Sequence, residues 1–249
     1  MRIEGFAPRR VGVFSDIHGN YPALQRVIGE LDKMNLDALV CCGDVVGYGA
    51  SPNECVELLR ERKIPTIAGN HDFAAVERVD ITYFNDIAKR SILWTRGVLT
   101  AENREFLNGL PLTLETDDAL FVHASPRNPE YWSYIITIGD ARQSFRHFDQ
   151  GICFIGHSHT PFVVENREGE LASHTTPLVE LNEGSQYVVN VGSVGQPRDR
   201  NPDACFAVLD LTENHVQICR TEYDLATAQD AIRNNGLPLE LAERLAYGL

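Results

Sequence analysis

Five short apolar runs of this chain stop at residues able to hold a metal ion. VGVF (11–14) leads into Ser15-Asp16-Ile17-His18, DALVCC (37–42) into Gly43-Asp44, and IPTIA (64–68) into Gly69-Asn70-His71-Asp72. ALFV (119–122) ends at His123, and ICFI (152–155) at Gly156-His157-Ser158-His159. Each fragment alone says little, since Gly-Asp is a common turn and an asparagine after glycine often fills a left-handed or turn conformation. Their joint occurrence says more. Eight donors (Asp16, His18, Asp44, Asn70, His71, His123, His157 and His159) follow apolar runs and use five of the eight histidines, which packing does not require. An i, i+2 pair such as His157 and His159 projects both rings to one side of an extended segment, and neutral imidazole is the commonest protein metal ligand.

The donor types select the chemistry. Carboxylate, amide oxygen and imidazole without thiolate suit Mn, Fe or Zn, with Ni or Co as further candidates, better than Cu(I) or an iron–sulfur cluster. Eight residues exceed the four ligands of a tetrahedral zinc site but suffice for two ions sharing one carboxylate. Two ions about 3.5–4 Å apart form a clamp for in-line displacement at phosphorus.

Such residues need strands to carry them. VGVF is followed by a helical pattern with Leu24, Val27, Ile28 and Leu31 behind a proline, and DALVCC by SPNECVELLRERK, where Ser51 and Glu54 have capping-box spacing. With IPTIA as a third strand, this βαβαβ rhythm predicts parallel strands covered by helices. Two helices are expected over 83–109, with Ile87, Ile92, Leu93 and Trp94 buried, and another near 140–148. VVEN, ELASHT, YVVNVG, CFAVLDL and VQICRTEY, separated by short polar turns, suggest antiparallel strands, and two helices close the sequence. Ligands of open α/β sheets bind beyond the carboxyl ends of the strands, where all eight donors stand.

Length and composition set bounds. The 249 residues, 43% hydrophobic, suffice for one domain, read here as 1–249. No run approaches the roughly 20 apolar residues of a membrane helix, and MRIEGFAPRR lacks the apolar segment of a secretory signal. The six cysteines form no CxxC and read as small buried hydrophobes of a reducing compartment. A cytoplasmic protein is expected, with neither membrane nor nucleic acid as partner, since a net charge of −13 argues against a basic face gripping phosphates. An oligomer is compatible with the sequence.

The five blocks D-x-H, G-D, G-N-H-[DE], a lone H and G-H-x-H resemble, in order, the pattern of the calcineurin-like metallophosphoesterase superfamily. NVGSVGQPRD (190–199) and GDVVGYGASPNECVELL (43–59) are similar to its small bacterial phosphodiesterase-like subgroup. The resemblance implies a four-layer αββα sandwich of two mixed sheets flanked by helices. It implies a hydrolase, phosphodiesterase or phosphatase, acting on a small phosphorylated substrate by attack of a hydroxide held between two divalent metals. Asp16, His18, Asp44 and His159 would hold one ion; Asp44 would bridge to a second, held also by Asn70, His123 and His157. His71 matches a residue that assists phosphate binding or protonates the leaving oxygen. Asp72 would either orient His71 or simply start a helix. Some members of the subgroup carry cysteine where this chain has His71, and a proton donor there favours monoester hydrolysis. Gly19 and Gly43 are expected to let backbone approach the metals. Asn20 could bond near the site or serve the turn, and Arg127 and Arg198 could pair with phosphate oxygens or remain solvated. Tyr131, Trp132 and Tyr134 could stack on a base or pack on themselves. The alternative function is a non-catalytic scaffold or interaction module, although such relatives usually lose ligands or the histidine at position 71.

Overall fold

The computed structural model describes residues 7–249; residues 1–6, part of the segment read for a secretory signal, lie outside them. The chain opens as β1 (Arg10–Phe14), α1 (Tyr21–Leu31), β2 (Ala38–Cys41), α2 (Pro52–Glu61), α3 (Asn70–Ala75), α4 (Asp86–Val98) and α5 (Ala101–Asn108). It continues through β3 (Thr113–Glu115), β4 (Ala119–Val122), α6 (Ile138–Ser144), β5 (Ile152–Ile155), β6 (Phe162–Arg167), β7 (Glu170–His174) and β8 (Leu178–Glu180). It closes with β9 (Ser185–Asn190), β10 (Ala204–Asp210), β11 (His215–Thr221), α7 (Leu225–Asn234) and α8 (Leu239–Leu245).

The strands form two sheets, β2-β1-β10-β11-β8 and β3-β4-β5-β9-β6-β7. Both are mixed: β1 runs parallel to β2 but antiparallel to β10, and β4, β5 and β9 are parallel while β6 is antiparallel to β9. Side chains alternate across a strand, so each sheet has two apolar faces to cover. Val11, Val13 and Val40 meet Phe121, Phe154 and Val189 between the sheets. On the outer side of the first sheet, Phe14 and Phe206 pack against Leu24, Val27 and Leu59 of α1 and α2. The far side of the second sheet, with Val122, Cys153 and Val188, lies under Ala141, Phe145 and Phe148 of α6 and the turn after it. The result is the expected four-layer αββα sandwich. Among the described residues no helix is long and apolar enough to cross a membrane, and all six cysteines are free, five of them buried.

Local expectations fare less evenly. IPTIA is not a strand: it touches β2 through the single parallel bridge Cys41 to Thr66, because Pro65 has no N–H to extend a ladder. The segment YVVNVG supplies β9, which pairs parallel with β5 and not only antiparallel. The helix expected near 140–148 runs instead over Ile138–Ser144, its start set by the capping box of Thr137 and Asp140. In α4 the buried face is Ala88, Ser91, Ile92 and Thr95. Leu93 stands about 100° around the helix from Ile92 and is 55% exposed. Asn20 caps α1 by accepting from Ala23 N. Ser51 makes no such side-chain bond; its own N–H is held by the Gly19 carbonyl.

One polar cluster lies within the second sheet, away from the strand ends that carry the histidines. Glu165 accepts from Ser185 Oγ at 2.7 Å, Tyr187 OH at 3.0 Å and Asn182 Nδ2 at 3.1 Å, and meets His174 Nε2 at 3.1 Å. Burial alone would raise its carboxyl, but these donors draw it down to about 2. A carboxyl depressed on folding contributes stability above its unfolded value and loses it as pH falls through the folded one. Glu165→Gln should therefore cost roughly 1–3 kcal/mol at pH 7, with the deficit shrinking toward pH 3. Urea unfolding at both pH values checks this; a deficit independent of pH would contradict it.

Candidate metal centre

The strand ends of both sheets meet at one rim. Asp16 and His18 lie in the loop after β1, Asp44 in the loop after β2, and Asn70 at the start of α3; His123 follows β4, and His157 and His159 follow β5. Every one of these seven side chains is buried. Five of the seven, Asp16, His18, Asp44, His157 and His159, have positive φ between 50° and 66°, a conformation that costs a non-glycine residue about 1–3 kcal/mol. Backbone bonds between loops hold them there: Asp16 N to Gly43 O at 2.9 Å, His18 N to Asp44 O at 2.9 Å and Gly156 N to His123 O at 2.9 Å. Gly43, at φ 90°, lies so near the next loop that a Cβ would fall 2.6 Å from Gly69 N.

The donors form two sets. Asp16, His18 and His159 converge in one, and Asp44, His123 and His157 in the other, with the ligand atoms of each set within 4.8 Å of one another. His18 Nε2 and His159 Nε2 are 3.1 Å apart, and Asp16 Oδ1 is 3.2 Å from His159 Nε2. In the second set His123 Nε2 lies 3.3 Å from Asp44 Oδ2 and 3.2 Å from His157 Nδ1. Asp44 Oδ2 also approaches His18 Nε2 at 3.6 Å, so one carboxylate oxygen faces both sets.

Backbone groups decide which atoms face inward. The Nδ1 of His18 donates to Val46 O at 3.1 Å, that of His123 to Cys42 O at 2.8 Å, and that of His159 to Gln196 O at 2.6 Å. Each bond fixes the tautomer and leaves an Nε2 lone pair for the centre, the arrangement metal-ligating histidines require. The carboxylates are divided in the same way. Asp16 Oδ2 accepts from His157 N at 2.9 Å and Asp44 Oδ1 from His71 N at 2.8 Å, freeing Asp16 Oδ1 and Asp44 Oδ2. Asp16 Oδ1, Asn70 Oδ1 and His157 Nε2 are buried with no hydrogen-bond partner. Buried polar atoms left unpaired are costly, and a cation at each of the two ligand sets would satisfy these atoms between them. The residues present therefore fit two divalent ions.

Electrostatics agree. Burial would raise Asp16, but the charges of His159 and His123 hold it far below the usual carboxylate range. Asp44 is likewise depressed, His123 and His71 outweighing its burial. Burial would lower His123, but Asp44 and Asp16 carry it up to about 9, so without a cation its Nε2 is protonated at pH 7, and an ion bound beside Asp44 would displace that proton. Burial pushes His157 down to about 3 and keeps His18 and His159 low, so three rings are neutral and available as ligands at pH 7.

The remaining candidates separate. His71 packs its ring 4.9 Å from His18 and 4.5 Å from Tyr48, and burial, with Arg198 nearby, lowers it to about 4. Asp72 makes no bond to that ring, whose Nδ1 is unpaired. Its carboxylate instead accepts from Gly69 N, Val45 N and Val46 N at 2.9, 2.8 and 3.1 Å, which starts α3 and ties down the loop after Asp44. Of its two expected roles the helix-start one is the one present. Both ends of Asn20 are committed, Oδ1 to Ala23 N and Nδ2 to Gly195 O, so it holds loops together instead of offering a bond to substrate. Arg127 reaches Gln143 Oε1 at 2.9 Å on an exposed loop. Arg198, by contrast, donates its backbone N–H to His159 O at 3.2 Å and holds its guanidinium 5.7 Å over the Tyr48 ring. Tyr134 stacks on His157 at 4.0 Å and Trp132 stands edge-on to His123 at 5.9 Å, while Tyr131 is 71% exposed. The aromatic loop therefore partly roofs the second ligand set. Tyr48, unassigned from the sequence, lies 4.7 Å from His18; its signal was an aromatic in the glycine-rich segment just after Asp44.

Similarity to known proteins extends over most of the chain. A family model described as the calcineurin-like phosphoesterase superfamily domain matches residues 10–214. An uncharacterized protein of Methanocaldococcus jannaschii is 40% identical over 244 residues, covering 96% of this chain and 98% of its own. The crystal structure of a metallophosphoesterase from Sphaerobacter thermophilus superposes with a TM-score of 0.85 at 37% identity, covering 98% of this chain and 100% of that one. A hypothetical protein from Pyrococcus horikoshii shares the fold, with a TM-score of 0.80 at 22% identity over 96% of this chain and 98% of its own.

Proposed function

We propose, from the premise that this chain belongs to the calcineurin-like phosphoesterase superfamily, that it hydrolyses phosphate mono- or diesters with the help of two divalent cations. The observation that supports this is the position of Asp44 Oδ2, 3.6 Å from His18 Nε2 and 3.3 Å from His123 Nε2: an oxygen of the second ligand set also faces the first. Asp16, His18, Asp44 and His159 would hold one ion, and Asp44, Asn70, His123 and His157 the other. Bound cations would supply Lewis acidity to a phosphoryl oxygen and make a water nucleophilic near neutral pH. The ligand types favour Mn, Fe or Zn, with Ni or Co as alternatives.

The chain's own groups do the rest. Backbone carbonyls of Cys42, Val46 and Gln196 hold three imidazoles in one orientation, so no reorganisation is needed as charge develops. His71, which burial lowers to about 4 and so leaves neutral at pH 7, would offer its one ring N–H as a hydrogen bond to the leaving oxygen without giving the proton up, and we expect monoesters to be the better substrates. Arg198 supplies positive charge beside His71 and His159. Tyr134 and Trp132 limit the approach of water over the second ligand set.

The test is hydrolysis of paired aryl phosphate mono- and diesters by chelator-stripped protein after separate addition of Mn, Fe, Co, Ni, Zn or Mg. Turnover is expected to return with a transition metal and to favour the monoester. No turnover under any metal, from protein that still binds two ions, would overturn the proposal.

A further inference from the structure

The loop between His123 and α6 has a shape that ligating a metal does not require. Ile135 is buried, and Trp132 sets its ring edge-on to His123 at 5.9 Å and to Phe73 at 6.0 Å. Those two side chains pin the loop. Tyr131 and Tyr134 turn the other way, 71% and 51% exposed. The backbone that turns them out is strained: Asn128 and Trp132 have φ of 49° and 54°, and a bulky residue in the left-handed region is an outlier. Such strain persists where the surroundings fix it, and it gathers at ligand sites.

Both tyrosines line one groove of about 410 Å³, with Ser125, Arg127, Asp140 and Gln143 among its other walls. Small-molecule sites span about 300–1,000 Å³. The groove borders the second ligand set, because Tyr134 stacks on His157 with ring centroids 4.0 Å apart and planes 25° from parallel. One face of Tyr134 is thereby covered and held flat, and its other face is open. Polar groups stand beside it. Arg127 Nη1 donates to Gln143 Oε1 at 2.9 Å, which leaves the Gln143 amide NH2 and the rest of the guanidinium as donors. Asp140 accepts from Ile136 N, Thr137 N and Thr137 Oγ1 through Oδ2 alone, which leaves Oδ1 as an acceptor. An open aromatic face beside donors and an acceptor suits a nucleobase, since every base has a π-face to stack and an edge of planar donors and acceptors. A sugar or an aliphatic alcohol offers only hydrogen bonds.

Resting on the phosphoesterase reading, we infer that this groove holds the base of a nucleotide whose phosphoryl group lies at the metal centre, so that the preferred substrates are nucleotides. Tyr134 supplies the stacking face, and Arg127 and Gln143 meet the edge of the base. The probes are phosphonate analogues of the four ribonucleoside 5′-monophosphates and of ribose 5-phosphate, which resist hydrolysis because carbon replaces the ester oxygen. By calorimetry on the metal-loaded full chain, the tightest nucleoside analogue should bind at least ~10-fold more tightly than the ribose analogue, within what one base–aromatic stack contributes. Tyr134→Ala should cut that ratio to ~3-fold or less. Tyr134→Phe should keep it, because the ring stacks and the hydroxyl does not. Equal affinity for all the analogues in the unmodified protein, or an undiminished ratio in Tyr134→Ala, would overturn the subsite. Aryl phosphate hydrolysis, run in parallel, separates the two claims. A ring-dependent preference for a base without turnover supports the groove and counts against the activity, whereas turnover without the preference overturns the groove alone.

Discussion

Asp44→Asn should abolish ester hydrolysis while leaving a folded protein. Removing a residue that merely orients a metal ligand costs about 10–100-fold, so removing the charge shared by both ligand sets should cost more, roughly 10³-fold or beyond. The fold should survive for two local reasons. Asn tolerates the left-handed backbone that residue 44 adopts at φ 51°. Its amide oxygen can also accept the His71 N–H that Asp44 Oδ1 now receives at 2.8 Å. With its oxygen so placed, the variant would present an amide NH2, which has no lone pair to offer a cation, where Asp44 Oδ2 now faces both ligand sets. Turnover with added Mn, metal content and far-ultraviolet circular dichroism form the check. Turnover near the unmodified level would remove Asp44 from the chemistry, and loss of the folded signal would show that the carboxylate is needed to assemble the loops.

Gly195→Ala should do the opposite, striking the fold first. A Cβ at this position would lie 1.8 Å from the Ile17 carbonyl oxygen and 2.6 Å from its carbon, backbone atoms that cannot rotate away. The same glycine donates to Asp16 O at 2.9 Å and accepts from Asn20 Nδ2 at 2.9 Å. A clash here therefore reaches the Asp16 and His18 loop directly. Overpacking against backbone should cost roughly 3 kcal/mol or more, read as a lower denaturant midpoint, with metal binding weakened in whatever remains folded. Gly29→Ala in α1 is the control: its Cβ would meet nothing within 4 Å, and relief of helix entropy should stabilise by about 0.5–1 kcal/mol. Gly195→Ala within 1 kcal/mol of the parent would mean that the two loops can separate freely.

The candidate site was more legible than the strand order. Its ligand-type residues stand directly after apolar runs, so a local pattern marks them and the αββα layering follows from the family the pattern resembles. Residues whose role depends on a distant partner gave no such signal. Asn20 spends its amide on Gly195, 175 positions away, and Asp72 spends its carboxylate on Val45 and Val46. Neither bond leaves a trace in the local sequence. The direction of β9 was hidden for the same reason: alternation defines a strand but not which neighbour it joins or in which sense. IPTIA failed differently, because its apolar content was right and its proline removed the donor a ladder needs. The docking of α7 and α8 on Tyr48 depends on a tertiary contact that helical periodicity cannot express.

The left-handed backbones at Asp16, His18, Asp44, His157 and His159 have a consequence for how such a protein can change over generations. At each of these positions glycine would relax the main chain and delete a candidate ligand in the same step. Selection for a sturdier fold therefore pulls toward the residue that function forbids. Relief of the main chain at any of the five would thus come at the expense of the centre, so a lineage released from the demand for the reaction has five separate positions at which backbone strain favours loss of a ligand.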